Sequence, residues 1–523
     1  MTAATTSQGD SFSAVPGRVT GAIAGLTAGA AALGAAELLA GILPGAASPI
    51  VAIGDLVISL QPPGAKQLIV DIFGEADKLA LNVLIVAVAL AVSAGLGILA
   101  LRREPLARIG FAAFGLLALG ASLRDPLASP LTSLVVAAAA VGVASWVLHW
   151  LLGIARAAAA PAEAEMPAWQ RRRFLIGTGS LLVASFAGGV VGRTLLERGR
   201  LGATPQVGAL PSPAQTAPPL PEGAELGVQG ISPIVTPNER FYRIDTALIV
   251  PRPQLATWRL RIHGMVDREL ELTFDELLAE PMIEQYVTIA CVSNEVGGDL
   301  VGNAKWGGVS LRRLLDRAGV RPEATQIVGR AVDGFTAGFP TAHGLATARE
   351  SLVAVTMNGE LLPAEHGFPA RLIVPGLYGY VSATKWLSEI ELTTLEAFDA
   401  YWIPLGWAKQ APILTQSRID TPRDGATVAA GTVPIAGVAW APDRGISAVE
   451  VQVDDESWQP AELSTPISDA TWVQFVHRWD ADPGSHTLRV RATDGDGEVQ
   501  TSDVTRPAPD GARGHHTIGV SVG

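Results

Sequence analysis

The chain has 523 residues, 48% of them apolar, and a formal charge of −12, with a mean hydropathy of +0.31. This length allows about three domains, and an acidic chain without a long basic stripe argues against nucleic acid as a partner. The single cysteine excludes an intrachain disulfide framework, so an exported domain would depend on its hydrophobic core alone.

The first part of the chain, residues 1–198, predicts a membrane section. Arg102, Arg103 and Arg108 lie between the second and third apolar segments, and Arg156 and Arg171–Arg173 lie between the fourth and fifth. Cytoplasmic loops carry such an excess of arginine. We therefore predict about five spans in the cytoplasmic membrane of a bacterium, with the remainder of the chain on the extracytoplasmic side. The apolar segments, judged against a hydrocarbon core of ~30 Å, are residues 19–43, 79–101, 109–123, 131–154 and 174–192.

Three polar segments follow. Residues 199–231 are rich in proline and glycine and predict an extended linker. Residues 232–400 mix strand-like with amphipathic helical segments, which predicts an α+β domain. Residues 411–523 contain short alternating runs between Asp, Gly and Pro turns, which is typical of an antiparallel β-sandwich. The chain is therefore predicted to be multi-domain.

The only cysteine, Cys291, ends a β-type run and opens a turn that is rich in polar residues and glycine. A thiolate in such a loop can be a soft metal ligand or a nucleophile. The alternative is a small buried hydrophobic residue, which is what most free cysteines are.

A second group of candidate residues lies in a segment with many Gly and Pro turns, where the backbone can approach a ligand. His366, Arg371 and Lys385 fall in this segment. Arg offers forked donors to phosphate and Lys a point charge, so together they suit a phosphorylated ligand. Taken singly, His366 could cap a turn, Arg371 could pair with Glu365, and Lys385 could be a surface charge. With a thiol available, the combination favours a bound cofactor.

This segment reads NG-x-x-LP-x-x-HGFP-x-R-x-x-VPG and is followed by KW. Together with Cys291 it resembles the sulfite-oxidase-type molybdopterin enzymes from about residue 232 to 398. The resemblance continues from about residue 411 to 522 as the immunoglobulin-like dimerisation domain of that family. It implies a molybdenum–molybdopterin cofactor and a homodimer through the C-terminal domain. The membrane section lies outside the common catalytic core.

The resemblance also assigns roles to residues. It makes Cys291 the protein ligand of molybdenum, and it places Tyr242 and Arg243 beside it as catalytic candidates. The residues on the segment that lines the pterin and metal pocket are Asn238, Phe241 and Tyr242. The residues on positions that hold the pterin ring or its phosphate are Asp333, His366, Arg371, Thr384 and Lys385.

Two departures from the family pattern concern the substrate. Glu295 stands in the turn after the cysteine, where sulfite oxidases carry an arginine. The substrate-binding arginine of the family would fall on Ile244, although Arg243 is one residue away. Fewer cations should weaken the binding of a dianion.

The function implied is oxygen-atom transfer, with oxidation of sulfite to sulfate as the first expectation and a small sulfur-containing molecule as substrate. His149 is the only histidine in the membrane section and a bis-histidine heme needs two, so an external cytochrome or quinone would accept the electrons. One alternative is an S-oxide reductase that acts on oxidised methionine in exported proteins. Another is a non-catalytic cell-surface protein that binds a partner through the acidic turns 454–456 and 494–498.

Overall fold

The computed structural model describes residues 17–61, 77–159, 167–200, 210–347 and 349–523. The chain divides into two compact units, which are described separately below. One consists of Met1–Thr204 with Ala247–Ile249, and the other of Pro205–Thr246 with Val250–Gly523. The placement of the helical section in a membrane, with the remainder of the chain on the extracytoplasmic side, stays a prediction.

The first unit is helical. Four of its helices contain stretches that are long and apolar enough to cross a membrane, within the described residues: Arg18–Ile42, Lys78–Ser122, Pro130–Ala157 and Arg172–Leu196. The helices of this unit are α1 (Arg18–Ile42), α2 (Pro49–Ser59), α3 (Asp77–Ser122), α4 (Pro130–Ala159) and α5 (Pro167–Arg200).

Helix α3 contains both the second and the third predicted span. Arg103 has non-helical angles (φ −140°, ψ 69°), and Pro105 follows two residues later. Proline lacks a backbone N–H and clashes with the preceding turn, so it favours a kink at this point. A straight helix of 45 residues would measure ~68 Å at ~1.5 Å per residue, about twice the thickness of a hydrocarbon core. The break is consistent with two spans, while the count of about five stays a prediction.

Small residues allow the helices of this unit to approach closely. A Cβ added to Gly25 of α1 would lie 2.6 Å from the backbone nitrogen of Gly97 in α3, and one on Gly34 would lie 2.3 Å from the carbonyl oxygen of Ser185 in α5. Such backbone contact is typical of helices that associate in membranes, where van der Waals packing replaces the hydrophobic effect.

The second unit begins with an α+β domain, as predicted. One sheet has the strand order β2-β1-β10-β5-β6, and the other has β3-β4-β7-β8 with β9 paired to β7. The strands are β1 (Arg259–Gly264), β2 (Leu270–Thr273), β3 (Met282–Ala290), β4 (Val301–Ser310), β5 (Gln326–Ala331), β6 (Thr336–Pro340), β7 (Leu352–Met357), β8 (Glu360–Leu361), β9 (Arg371–Ile373) and β10 (Leu387–Thr393). The short helices are α6 (Phe274–Leu278), α7 (Leu311–Ala318), α8 (Thr341–Gly344) and α9 (Gly379–Ser382).

The remaining strands form the predicted immunoglobulin-like sandwich. Its two sheets have the orders β11-β13-β17-β16 and β12-β19-β18-β14-β15. The sandwich has a core of its own, but its Trp440 and Trp472 belong to the core of the α+β domain. The strands are β11 (Gln416–Thr421), β12 (Thr427–Val428), β13 (Gly431–Trp440), β14 (Ile446–Val453), β15 (Gln459–Pro460), β16 (Glu462–Leu463), β17 (Val473–Ala481), β18 (Gly484–Asp494) and β19 (His516–Val522).

Candidate functional site

Cys291 lies at the point where strand β3 ends. Strand β3 pairs with β4 up to Ala290 and Val301, and the backbone N–H of Cys291 continues the pairing by donating to the carbonyl of Leu300 (2.9 Å). The thiol is buried, with 7% of the residue exposed, and its Sγ accepts from the N–H of Ser293 (3.4 Å). The hairpin therefore fixes the backbone on both sides of the sulfur.

The thiol lines a pocket with an empty volume of about 730 Å³, which includes the space at its open mouth. Seven of the ten predicted site residues line this pocket: Phe241, Tyr242, Cys291, Asp333, His366, Arg371 and Lys385. These residues are distant in sequence, so the fold brings together what the sequence analysis had only grouped by motif.

The other three predicted residues lie behind or beside the pocket lining. The backbone carbonyl of Asn238 accepts from His366 Nε2 (2.9 Å), so Asn238 orients this imidazole. Thr384 is fully buried and its hydroxyl donates to the carbonyl of Gly329 (3.4 Å). Arg243 is 44% exposed.

His366 is a neutral imidazole in this site. The residue is 3% exposed, and burial, with the nearby charges of Arg371 and Lys385, lowers its pKa to about 4. A carbonyl can only accept a hydrogen bond, so the bond to Asn238 places the proton on Nε2. His366 Nδ1 is consequently left as the acceptor.

Arg371 is a buried cation with an unsatisfied hydrogen-bond donor among the described residues. Burial lowers its pKa to about 10, so it stays protonated at neutral pH. Its Nη1 donates to the carbonyl of His366 (3.0 Å), and its guanidinium stands over the ring of Trp306 at 5.0 Å. Its Nε is buried and has no hydrogen-bond partner among the described residues. A buried donor without an acceptor costs about 1–3 kcal/mol, so this N–H suits an anionic ligand.

Lys385 is held by an acidic residue that the sequence analysis missed. Its Nζ donates to Asp245 Oδ2 (2.8 Å) and to the carbonyl of Glu365 (3.0 Å). Burial lowers the pKa of Lys385 to about 8, against the opposing effect of Asp245. Asp245 also accepts from Arg243 Nε (3.1 Å). Asp245 lies two residues after the candidate Arg243, and this position was the one indication in the sequence that it belongs to the site.

Two further groups on the lining have pKa values above their ordinary ones. Burial raises the pKa of Asp333, and the charge of Asp245 raises it further. Burial also raises the pKa of Tyr242, and negative charge on the sulfur of Cys291 raises it further. Tyr242 therefore keeps its phenolic proton and can act as a hydrogen-bond donor beside the sulfur.

Apolar and aromatic residues that the sequence analysis did not assign complete the lining. They include Ile244, which is 45% exposed, together with Phe335, Tyr380 and Trp402. Phe335 packs on Tyr401 with a centroid distance of 5.6 Å. Trp402 lies just beyond residue 400, where we predicted the domain to end. The aromatic residues Tyr401, Trp402 and Trp407 lie close together in the sequence, and this cluster could have indicated an aromatic side of the pocket.

A metal in this pocket would need more ligands than the described part of the chain supplies. Among the described residues, no group of three or more His, Cys, Asp or Glu side chains could hold a metal ion. A lone thiolate beside buried cations fits a metal whose remaining ligands come from an anionic cofactor.

The chain matches two family models: the oxidoreductase molybdopterin binding domain at residues 247–402 and a bacterial Ig domain at residues 416–490. It is 36% identical over 172 residues to the "Uncharacterized oxidoreductase YuiH" of Bacillus subtilis, covering 32% of this chain and 83% of that protein. It is 31% identical over 272 residues to the mitochondrial sulfite oxidase of Rattus norvegicus, covering 44% of this chain and 49% of that protein. The chain thus spans about half the length of the sulfite oxidases it matches. Among solved structures, it is similar to the sulfane dehydrogenase SoxCD of Paracoccus pantotrophus, with 24% identity, a TM-score of 0.48, and coverage of 55% of this chain and 81% of that one.

Proposed function

Since the chain belongs to the sulfite-oxidase-type family of molybdopterin-dependent oxidoreductases, we propose that it catalyses oxygen-atom transfer on a small sulfur-containing substrate, with oxidation of sulfite to sulfate as its reaction. The observation that carries the proposal is that one pocket is lined both by the Cys291 thiol and by the buried Arg371, whose Nε has no hydrogen-bond partner among the described residues.

The residues on the pocket wall suit the cofactor of the family, molybdenum–molybdopterin. We assign the Cys291 thiolate as the metal ligand and Arg371 and Lys385 as the cations that hold the anionic parts of the pterin. The cofactor supplies the two-electron oxygen-atom transfer, which no side chain can perform. The protein contributes position, charge and exclusion of water.

The remaining lining residues then have separate tasks. Tyr242 keeps its proton and donates a hydrogen bond near the sulfur, while neutral His366 offers Nδ1 as an acceptor. The rings of Phe335, Tyr380 and Trp402 narrow the pocket and keep water away from the reacting group. Polar interactions gain strength in such a site because the local dielectric constant is low.

Reduction of an S-oxide is the second candidate, and one observation favours it. Asp245 pairs with both Lys385 and Arg243 and offsets part of their positive charge, and Ile244 occupies a position on the lining. An uncharged S-oxide needs no surplus of cations, whereas a sulfite dianion does.

We further propose that the apolar helices anchor the chain in the cytoplasmic membrane of a bacterium, with the catalytic and immunoglobulin-like domains outside. Electrons would pass to a separate cytochrome or quinone. His149, the only histidine in the first 200 residues, bonds through Nδ1 to Glu104 (2.8 Å) and would give a heme one ligand where two are needed. Pairing of two chains through the sandwich is part of the same proposal.

The test combines metal content with a substrate comparison. The full chain, purified in detergent from a host that makes the cofactor, should contain about one molybdenum per chain. It should then oxidise sulfite with an artificial acceptor faster than it reduces methionine sulfoxide with a reduced dye. The opposite ranking of rates would replace sulfite by an S-oxide. Absence of molybdenum from correctly folded protein would reject the proposal.

A further inference from the structure

The loop that carries Cys291 is in contact with the sandwich at its far end. Arg418 of β11 donates from Nη1 to the carbonyl of Gly298 (2.7 Å). Only 10% of the Arg418 side chain is exposed. The same guanidinium donates from Nε to Asp420 (2.7 Å) and from Nη2 to the hydroxyl of Ser232 (2.9 Å). All three nitrogens are engaged, so Arg418 holds one orientation.

Gly297, which precedes Gly298 in this loop, packs against a second side chain of the sandwich. Gly297 has φ +79°, and a Cβ added to it would lie 2.1 Å from Cδ2 of His516. His516 is itself fixed, because its Nδ1 accepts from the N–H of Ile419 (3.0 Å). Any other residue at position 297 would meet both an unfavourable φ and the imidazole ring.

The strand that leads into the loop is also held by the sandwich. Strand β3 is at the edge of its sheet, so its outward backbone groups need partners elsewhere. The N–H of Thr288, three residues before the cysteine, donates to the carbonyl of Ala470 (2.9 Å). The hydroxyl of Thr288 accepts from the N–H of Trp472 (2.8 Å). The sandwich therefore fixes the chain on both sides of Cys291.

We infer that the immunoglobulin-like domain is a positioning element for the Cys291 thiol, and that Arg418 is its principal positioning residue. An ordinary domain contact would be spread over surface side chains. Here a buried, fully engaged cation binds a backbone carbonyl of the loop that carries the cysteine. The inference rests on the proposed function only where it treats the Cys291 thiol as a metal ligand. The contacts that fix the position of the thiol do not depend on that function.

The experiment measures the reactivity of the only thiol in the cofactor-free full chain. Alkylation by iodoacetamide under native conditions reports how accessible the loop leaves the Cys291 thiol, because only 7% of the residue is exposed in the folded structure. Loss of a charge-assisted hydrogen bond in Arg418→Ala should raise the alkylation rate about tenfold. Arg418→Lys retains the charge, but its compact ammonium lacks the planar fork that reaches all three acceptors, so its rate should fall between wild type and Arg418→Ala.

The matched control is Arg478→Ala, which removes an arginine from β17 of the same sandwich. Arg478 is 65% exposed and pairs with the exposed Glu462, so its loss should leave the alkylation rate within about twofold of wild type. Rates measured at several low denaturant concentrations separate local opening, which is insensitive to denaturant, from global unfolding. Arg418→Gln, which retains a donor and much of the length, is the second variant should Arg418→Ala not fold.

A wild-type alkylation rate in a folded Arg418 variant would overturn the inference, as would an equal acceleration in Arg478→Ala. Molybdenum content of the loaded wild-type chain is measured in parallel. Its absence would remove the proposed function and leave the thiol result standing, so the two failures are distinguishable.

Discussion

The pair formed by Asp245 and Lys385 gives the sharpest prediction about the pocket. Burial depresses the pKa of Lys385 from 10.5 to about 8, and Asp245, 2.8 Å away, is the group that opposes this fall. Asp245→Asn keeps the side-chain volume and removes the negative charge. The buried ammonium then loses its counter-ion while Arg371 and Arg243 continue to repel it. We expect the pKa of Lys385 to fall further, not to rise.

The magnitude follows from the environment of the pair. An opposite charge at hydrogen-bond distance typically moves a pKa by 1–3 units. A midpoint at about 8 keeps roughly 90% of Lys385 protonated at pH 7. A fall of about 1.5 units would leave roughly a quarter protonated at the same pH. If the ammonium is needed to hold an anionic group, the rate at pH 7 should fall about threefold to fourfold, and more at pH 8.

The assay is the pH dependence of kcat/KM for sulfite on metal-loaded protein, which reports groups of the free enzyme. Wild type should lose activity above a midpoint of about 8, and Asp245→Asn should show the same limb at lower pH. Lys385→Arg, whose guanidinium stays charged throughout, should have no limb in this range. A limb that stays at pH 8 in both Asp245→Asn and Lys385→Arg would refute the assignment of this titration to Lys385.

Three other predictions concern the metal, the pterin and the membrane. Cys291→Ser should lower sulfite turnover by at least a hundredfold with an unchanged circular dichroism spectrum, because a hydroxyl is a poor ligand for a soft site; retained turnover contradicts the ligand assignment. Arg371→Ala should lower pterin content after dialysis about tenfold and Arg371→Lys less so, since the fork is lost but the charge remains; full pterin content in Arg371→Ala would disprove the role. Reporter fusions after Arg108 and after Arg200 should report opposite sides of the membrane, and signals from the same side would contradict the five-span topology.

The sequence could locate much of the site because short motifs sit where strands end. Cys291 follows β3, while His366 and Arg371 flank one turn, so local chemistry already indicated them. The role of Asn238 could not be read in the same way, because it acts through its backbone carbonyl on His366. Asp245 was missed for a related reason. Its importance depends on Lys385, a residue 140 positions away, and only the fold brings the two together.

The architecture was similarly predictable where periodicity decides it. Apolar segments became long helices, and alternating runs with turn residues became the sandwich strands. The contact of the sandwich with the Cys291 loop was not predictable, since Arg418 reaches the loop through the backbone carbonyl of Gly298 and not through an acidic side chain. No sequence pattern marks a backbone acceptor. The predicted boundary at residue 400 stops two residues before Trp402, which lines the pocket, because a pocket wall can extend past the last strand of its domain.

Three basic side chains on the pocket lining make the stability of the protein depend on pH. His366, Arg371 and Lys385 all have pKa values below their ordinary ones, chiefly because of burial. In each case the unfolded chain binds more protons than the folded one, so stability must rise with pH between the folded and the unfolded pKa. For Lys385 this window runs from about 8 to 10.5, and for His366 from about 4 to 6.5. Each shift corresponds to on the order of 3 kcal/mol.

An anionic cofactor would favour the charged forms of these bases, so the cofactor-loaded protein should gain less stability from alkaline pH than the cofactor-free protein. Thermal unfolding of both forms at pH 7.5 and 9.5 measures this difference, and parallel changes in the two midpoints would mean that these cations do not face the ligand.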